Sequence, residues 1–154
     1  MTMILIAAHV LSAVFWVGGM AFAYMILRPA AGALEPPQRL GLWRRVFASF
    51  LPWAGVAALI LVVTGYAMMM SVYRGPSGAP AYIHMMEGLG LVMAAIYLYL
   101  VVRPWQRFKR AVDSGAIAEA AAGLATIRKI VATNLVLGVI VIIVATAGRF
   151  WYMI

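Results

Sequence analysis

The sequence contains no cysteine. Disulfides, thiolate metal centres and haem attached covalently through a Cys-x-x-Cys-His motif are thereby excluded, and a bound metal must use His, Met or oxygen donors. Acid is nearly as scarce, with four Asp and Glu against twelve Lys and Arg, and the two histidines are His9 and His84. With charged residues at 10%, the composition is far from that of a water-soluble domain. Apolar residues fill the space: 66% of the 154 positions are hydrophobic, and the mean hydropathy is +1.01.

Uncharged apolar runs lie at about residues 3–27, 48–73, 81–102 and 130–148. Each is close to the roughly 20 residues that cross about 30 Å of hydrocarbon at 1.5 Å per residue. The expected fold is all-α, an integral membrane four-helix bundle with residues 1–154 as one transmembrane domain. The first run lacks a basic segment ahead of it and a small-residue cleavage site at its end, so it reads as a mature helix.

The net charge of +8 is distributed by loop. Arg28, Arg39, Arg44 and Arg45 fall in the first connection, and Arg103, Arg107, Lys109, Arg110, Arg128 and Lys129 in the third, leaving Arg74 and Arg149 for the other side. Ten against two is a topology signal and not the footprint of a nucleic-acid binder. It places the first and third loops in the cytoplasm and both termini outside, in a multi-pass protein of a bacterial inner membrane, with anionic lipid headgroups against the basic loops.

In the first connection, Pro36-Pro37 can open a short helix, and Arg39, Trp43 and Arg44 follow at interfacial spacing, so this segment is expected to lie along the membrane surface. "YRGPSGAPAY", residues 73–82, is rich in Gly and Pro and reads as a tight outer turn. The third connection mixes helix formers with "DSG" and is expected to extend the third and fourth helices to a joint at Ser114-Gly115.

His9 stands nineteen positions before Arg28-Pro29, and His84 nineteen before Arg103-Pro104. After each such helix come a basic pair, an apolar helix and a Thr and Gly near its end (Thr64-Gly65; Thr146 and Gly148), an approximate repeat of two transmembrane hairpins. Nineteen residues rise roughly 28 Å, so the two imidazoles are expected at one depth beneath the outer surface.

Helical phase puts His9 with Ser12, Trp16, Gly19 and Met20, and His84 with Glu87, Gly88, Leu91 and Ala95. Small residues on such faces serve close helix packing and would equally admit a flat macrocycle. Two imidazoles at one depth fit the axial positions of a single low-spin haem b, a centre suited to electron transfer. Trp16, Gly19 and Gly88 would line that haem, with Arg74 and Arg149 available to its propionates. Glu87, the one acid inside an expected span, is a candidate for proton exchange.

The stretch "AHVLSAVFWVGGMAFAYMILRP", with His9, Trp16 and Gly18-Gly19, resembles the opening helix of the CopD-like copper-resistance membrane proteins and of the related HemJ-type protoporphyrinogen oxidases. The likeness continues through "RRVFASFLPWAGVAALILVVTGY", "IHMMEGLGLVM" and "IRKIVATNLVLGVIVIIV". It implies a helical membrane bundle and, from the HemJ-type side, haem b at His9. The HemJ-type lysine two residues after the helix-3 histidine is replaced here by Met86, so the resemblance carries over haem binding and not that enzyme activity.

Three functions follow. The first is redox: haem b between His9 and His84 exchanging electrons with a quinone or a periplasmic partner, with or without catalysis as a membrane oxidoreductase. The second is copper transport or resistance, since Met68, Met69, Met70, Met85 and Met86 fall near the same helix ends as His84, and thioether with imidazole suits Cu(I). Three consecutive methionines point about 100° apart and cannot all face one ion. The third is a cofactor-free accessory subunit, in a homo-oligomer or a larger complex.

Overall fold

The computed structural model describes residues 2–150, apart from the Arg149 side chain. Its described residues form helices without strands. Four of these are long and apolar enough to span a bilayer: α1 (Thr2–Ala33), α2 (Pro36–Tyr73), α3 (Ala81–Asp113) and α4 (Ile117–Ala147). Large apolar side chains such as Ile4, Leu11, Trp53, Leu59, Leu98 and Ile143 point outward. Water would reject that surface, whereas lipid tails accept it, and the chain is a multi-pass membrane protein in contact with the bilayer.

Proline sets the interruptions. Pro29 has no N–H to return to the Met25 carbonyl, and just before it α1 widens into a π-helical stretch, Ala23–Leu27, closed by the Arg28 N–H on the Ala23 carbonyl. Pro104 follows a one-residue break at Arg103 that divides α3 into Ala81–Val102 and Pro104–Asp113. Gly115, at φ +73°, turns the chain into α4 in the left-handed region that favours glycine.

The helices pair as two hairpins, α1 with α2 and α3 with α4, as the repeat in the sequence implies. The hairpins join through smaller contacts of α1 with α4, α2 with α3, and α2 with α4. Thus α2 and α4 meet across the centre, and α1 and α3 stand on the long diagonal. The crossing of α2 and α3 is set by Tyr97, whose hydroxyl donates to the Leu51 carbonyl at 2.8 Å. Gly55 leaves the space: a Cβ there would overlap the Tyr97 hydroxyl.

Two cores follow one another along the bundle. Midway, Trp16 and Met20 of α1 pack against Ala54, Ala57 and Ala58 of α2 and Met93 of α3. Towards the basic loops, Trp43, Phe47, Trp105 and Phe108 form a ring cluster with centroids 5.1–6.1 Å apart, closed by Leu124 and Ile127 of α4. This second core corrects the expectation for the first connection. Residues from Pro36 onward are the start of one continuous 38-residue α2, which at 1.5 Å per residue is far longer than the hydrocarbon requires. Trp43 and Phe47, one turn apart, face inward against α3, and their burial holds this segment in the bundle instead of along the surface. The third connection does extend α3 and α4, jointed at Ser114-Gly115.

Candidate functional site

His9 projects from α1 onto α2. Its Nδ1 lies 2.8 Å from the Thr64 hydroxyl oxygen, and the ring rests over Gly65. Thr64 Oγ1 is in turn 2.6 Å from the Ile60 carbonyl, to which it donates its one hydrogen. The hydroxyl is left to accept from His9, so Nδ1 carries the ring proton. Nε2 then holds the lone pair, the state in which imidazole ligates a metal, and orientation by a hydrogen bond to the other nitrogen is how metal-binding histidines are commonly fixed. Thr64 is the residue that sequence reasoning missed as part of a site; its one signal was the Thr64-Gly65 pair near the helix end.

His84 is differently employed. Its Nδ1 lies 3.3 Å from Glu87 Oε2, and its Nε2 lies 3.0 Å from the Pro76 carbonyl. Both nitrogens therefore already face polar atoms of the protein. The side chain is 44% exposed, and the residues that share its face, Gly88, Leu91 and Ala95, are exposed as well. Tyr66 of α2 lies beside Glu87. The set Tyr66, Glu87, His84 and Pro76 fastens the second loop and the end of α2 to α3.

The bis-histidine haem expected from the spacing finds no support in this arrangement. Axial ligation requires two imidazole nitrogens facing each other across one iron, whereas His9 and His84 occupy diagonal helices and bond to different neighbours. The matched spacing did not give the two rings a common partner. Trp16 is a core residue, edge-on to Tyr97 at 6.1 Å. Gly19 admits the Phe50 ring, which a Cβ would overlap, so it serves helix packing. Gly88 is exposed, with open space where a Cβ would stand. Arg74 is the exposed left-handed cap of α2, at φ +58°. The Arg149 side chain lies outside the described residues.

No three His, Asp or Glu side chains come together to hold a metal among the described residues. Met68 and Met69 follow Thr64 and Gly65 by one helical turn on the same face of α2; Met69 is buried, Met68 half-buried and Met70 exposed, so the three do diverge around the helix.

No curated protein matches the chain, and no solved structure does. The family model for copper resistance protein D matches residues 44–147, about two-thirds of the chain. The match begins within the aromatic end of α2 and runs to the last residue of α4, taking in Thr64, the methionines and the His84–Glu87 pair, while α1 with His9 precedes it. The match takes in all of α3 and α4 and most of α2, and the chain belongs to the copper resistance protein D family.

Proposed function

We propose that the protein binds copper(I) as cargo at the α1–α2 hairpin, with His9 Nε2 as the nitrogen ligand and a thioether from Met68 or Met69 beside it. The observation that carries this reading is the hydrogen-bond chain His9–Thr64–Ile60, which frees Nε2 for a metal. Imidazole with thioether suits Cu(I) over harder ions, and the family is one of copper resistance. Ten basic residues at the opposite end against two at this one support an orientation in which the site faces away from the cytoplasm. A copper carrier on that side is the partner this orientation calls for. His84 and Glu87 act as fasteners for the second loop.

The test is anaerobic titration of the purified protein with Cu(I) in competition with a chromophoric chelator. One equivalent should be withheld by the protein and by His84→Ala, while His9→Ala should release it. Equal retention by His9→Ala, or no saturable retention at all, overturns the assignment. So does a low-spin haem b spectrum, lost on changing either histidine, in protein produced with ample haem.

A further inference from the structure

A narrow cleft, with room inside for about one water-sized oxygen, lies at the basic-loop end, where α1, α2 and α4 meet. It is lined by Tyr24 and Arg28 of α1, Trp43 of α2, and Arg128 and Val131 of α4. Two donors in this lining, Trp43 Nε1 and Arg128 Nε, are buried without a hydrogen-bond partner. Buried N–H groups are rarely left unpaired, and each orphan costs on the order of 1–3 kcal/mol. Ring contacts account for the positions of the cations, with Arg128 over Trp43 at 6.0 Å and Arg28 over Tyr24 at 4.9 Å. They leave both N–H groups unanswered.

The charge around the cleft is equally unanswered. Arg28 and Arg39 both lie close enough to repel Arg128, and among the described residues none of the three has a carboxylate partner. The described ion pairs are Arg44–Asp113 and His84–Glu87. Glu35 and Glu119, the remaining acids, are exposed. Arg28 and Arg128 also sit just beyond the apolar runs 3–27 and 130–148, at the depth of lipid headgroups.

We infer that this cleft binds a phosphate-type oxyanion through Arg28, Arg128 and the Trp43 indole N–H, with Arg39 adding charge. Guanidinium forks match the oxygens of a phosphate, and one of those oxygens entering the narrow cleft would bring an acceptor to donors that have none within the protein. The source is either the headgroup of an anionic phospholipid or free phosphate. Neither involves the copper site, which lies at the other end of the bundle.

The experiment uses delipidated full-length protein in neutral detergent, with phosphatidylglycerol as one probe, followed by native mass spectrometry, and inorganic phosphate as the other, followed by equilibrium dialysis. Saturable retention of phosphatidylglycerol alone assigns the site to lipid, and saturable binding of inorganic phosphate assigns it to the free ion. In either case Arg28→Gln and Arg128→Gln should weaken binding at least tenfold and Trp43→Phe about three- to tenfold, while Arg107→Gln, an exposed cation outside the cleft, should change nothing. Trp43→Phe keeps the aromatic packing and decides the matter if an arginine variant does not fold. Failure to retain either probe, retention indifferent to these changes, or an equal loss in Arg107→Gln overturns the inference.

Discussion

The two ends of the bundle are built on different terms. At the basic-loop end, four aromatic rings and the side chains of Leu124 and Ile127 interlock, and Phe108 is 0% exposed. At the histidine end polar pairs make the contacts: His9 of α1 with Thr64 of α2, Tyr73 of α2 with Tyr82 of α3 at 3.3 Å, and His84 of α3 with Pro76 of the second loop. Where helices run past the hydrocarbon, the hydrophobic effect can assemble a core as in a soluble protein. Within the lipid it cannot, so contact rests on close approach at small residues and on hydrogen bonds. The first end holds the bundle together, and the second leaves groups free for chemistry.

The comparison breaks most severely at the aromatic end. Phe108→Ala should cost about 3–5 kcal/mol, the usual range for a buried Phe, and should lower the unfolding temperature in detergent by a large margin, whereas Met70→Ala at the exposed opposite end should barely move it. A Phe108 variant as stable as the parent would mean that the ring cluster is not the anchor.

Next comes Thr64→Val, which keeps the shape and removes the acceptor for His9 Nδ1. Loss of a partner that orients a metal-binding histidine typically costs ten- to a hundredfold in affinity. Cu(I) competition should show a drop of that size with little change in unfolding temperature; an unchanged affinity would remove Thr64 from the site.

Tyr97→Phe lies between the ends and should cost about 0.5–1.5 kcal/mol. The Leu51 carbonyl loses the hydroxyl that donates to it, and the ring keeps its contact with Trp16. The loss should be read as a modest shift in thermal unfolding.

The smallest effect belongs to Asp113→Asn. Arg44 reaches both Asp113 oxygens, at 3.2 and 3.3 Å, and lies over the Trp105 ring. The carboxylate is half exposed, and exposed pairs contribute about 0.2–1 kcal/mol, less at high salt. The difference between variant and parent should shrink as salt is raised. A salt-independent loss would show that the pair is buried in the membrane-bound protein.

Much of this architecture is legible in residue order, because the properties that carry it are local. Four apolar runs are enough to count the spans, Arg-Pro marks where α1 and α3 are interrupted, and "DSG" marks the joint between α3 and α4. The first connection was harder to place, since Trp43 and Arg44 read equally well as interfacial anchors or as the inner face of a helix. Phe108 and Trp105, more than sixty residues away, decide between them.

Sequence alone determined that this chain crosses the membrane as two helical hairpins with its positive charge at one end, because hydropathy, span length and flanking charge act residue by residue. Only the tertiary structure decided which way each histidine points. Spacing matches His9 and His84 in depth, yet α3 is apolar nearly all the way round, so no amphipathic stripe marks its inner side. The packing of α3 on α4, with Met93 turned inward, leaves the His84 face exposed. Thr64 became the partner of His9 for the same reason: a contact between residues fifty-five positions apart depends on how α1 and α2 rotate against each other, and that rotation is set by the packing of the whole bundle.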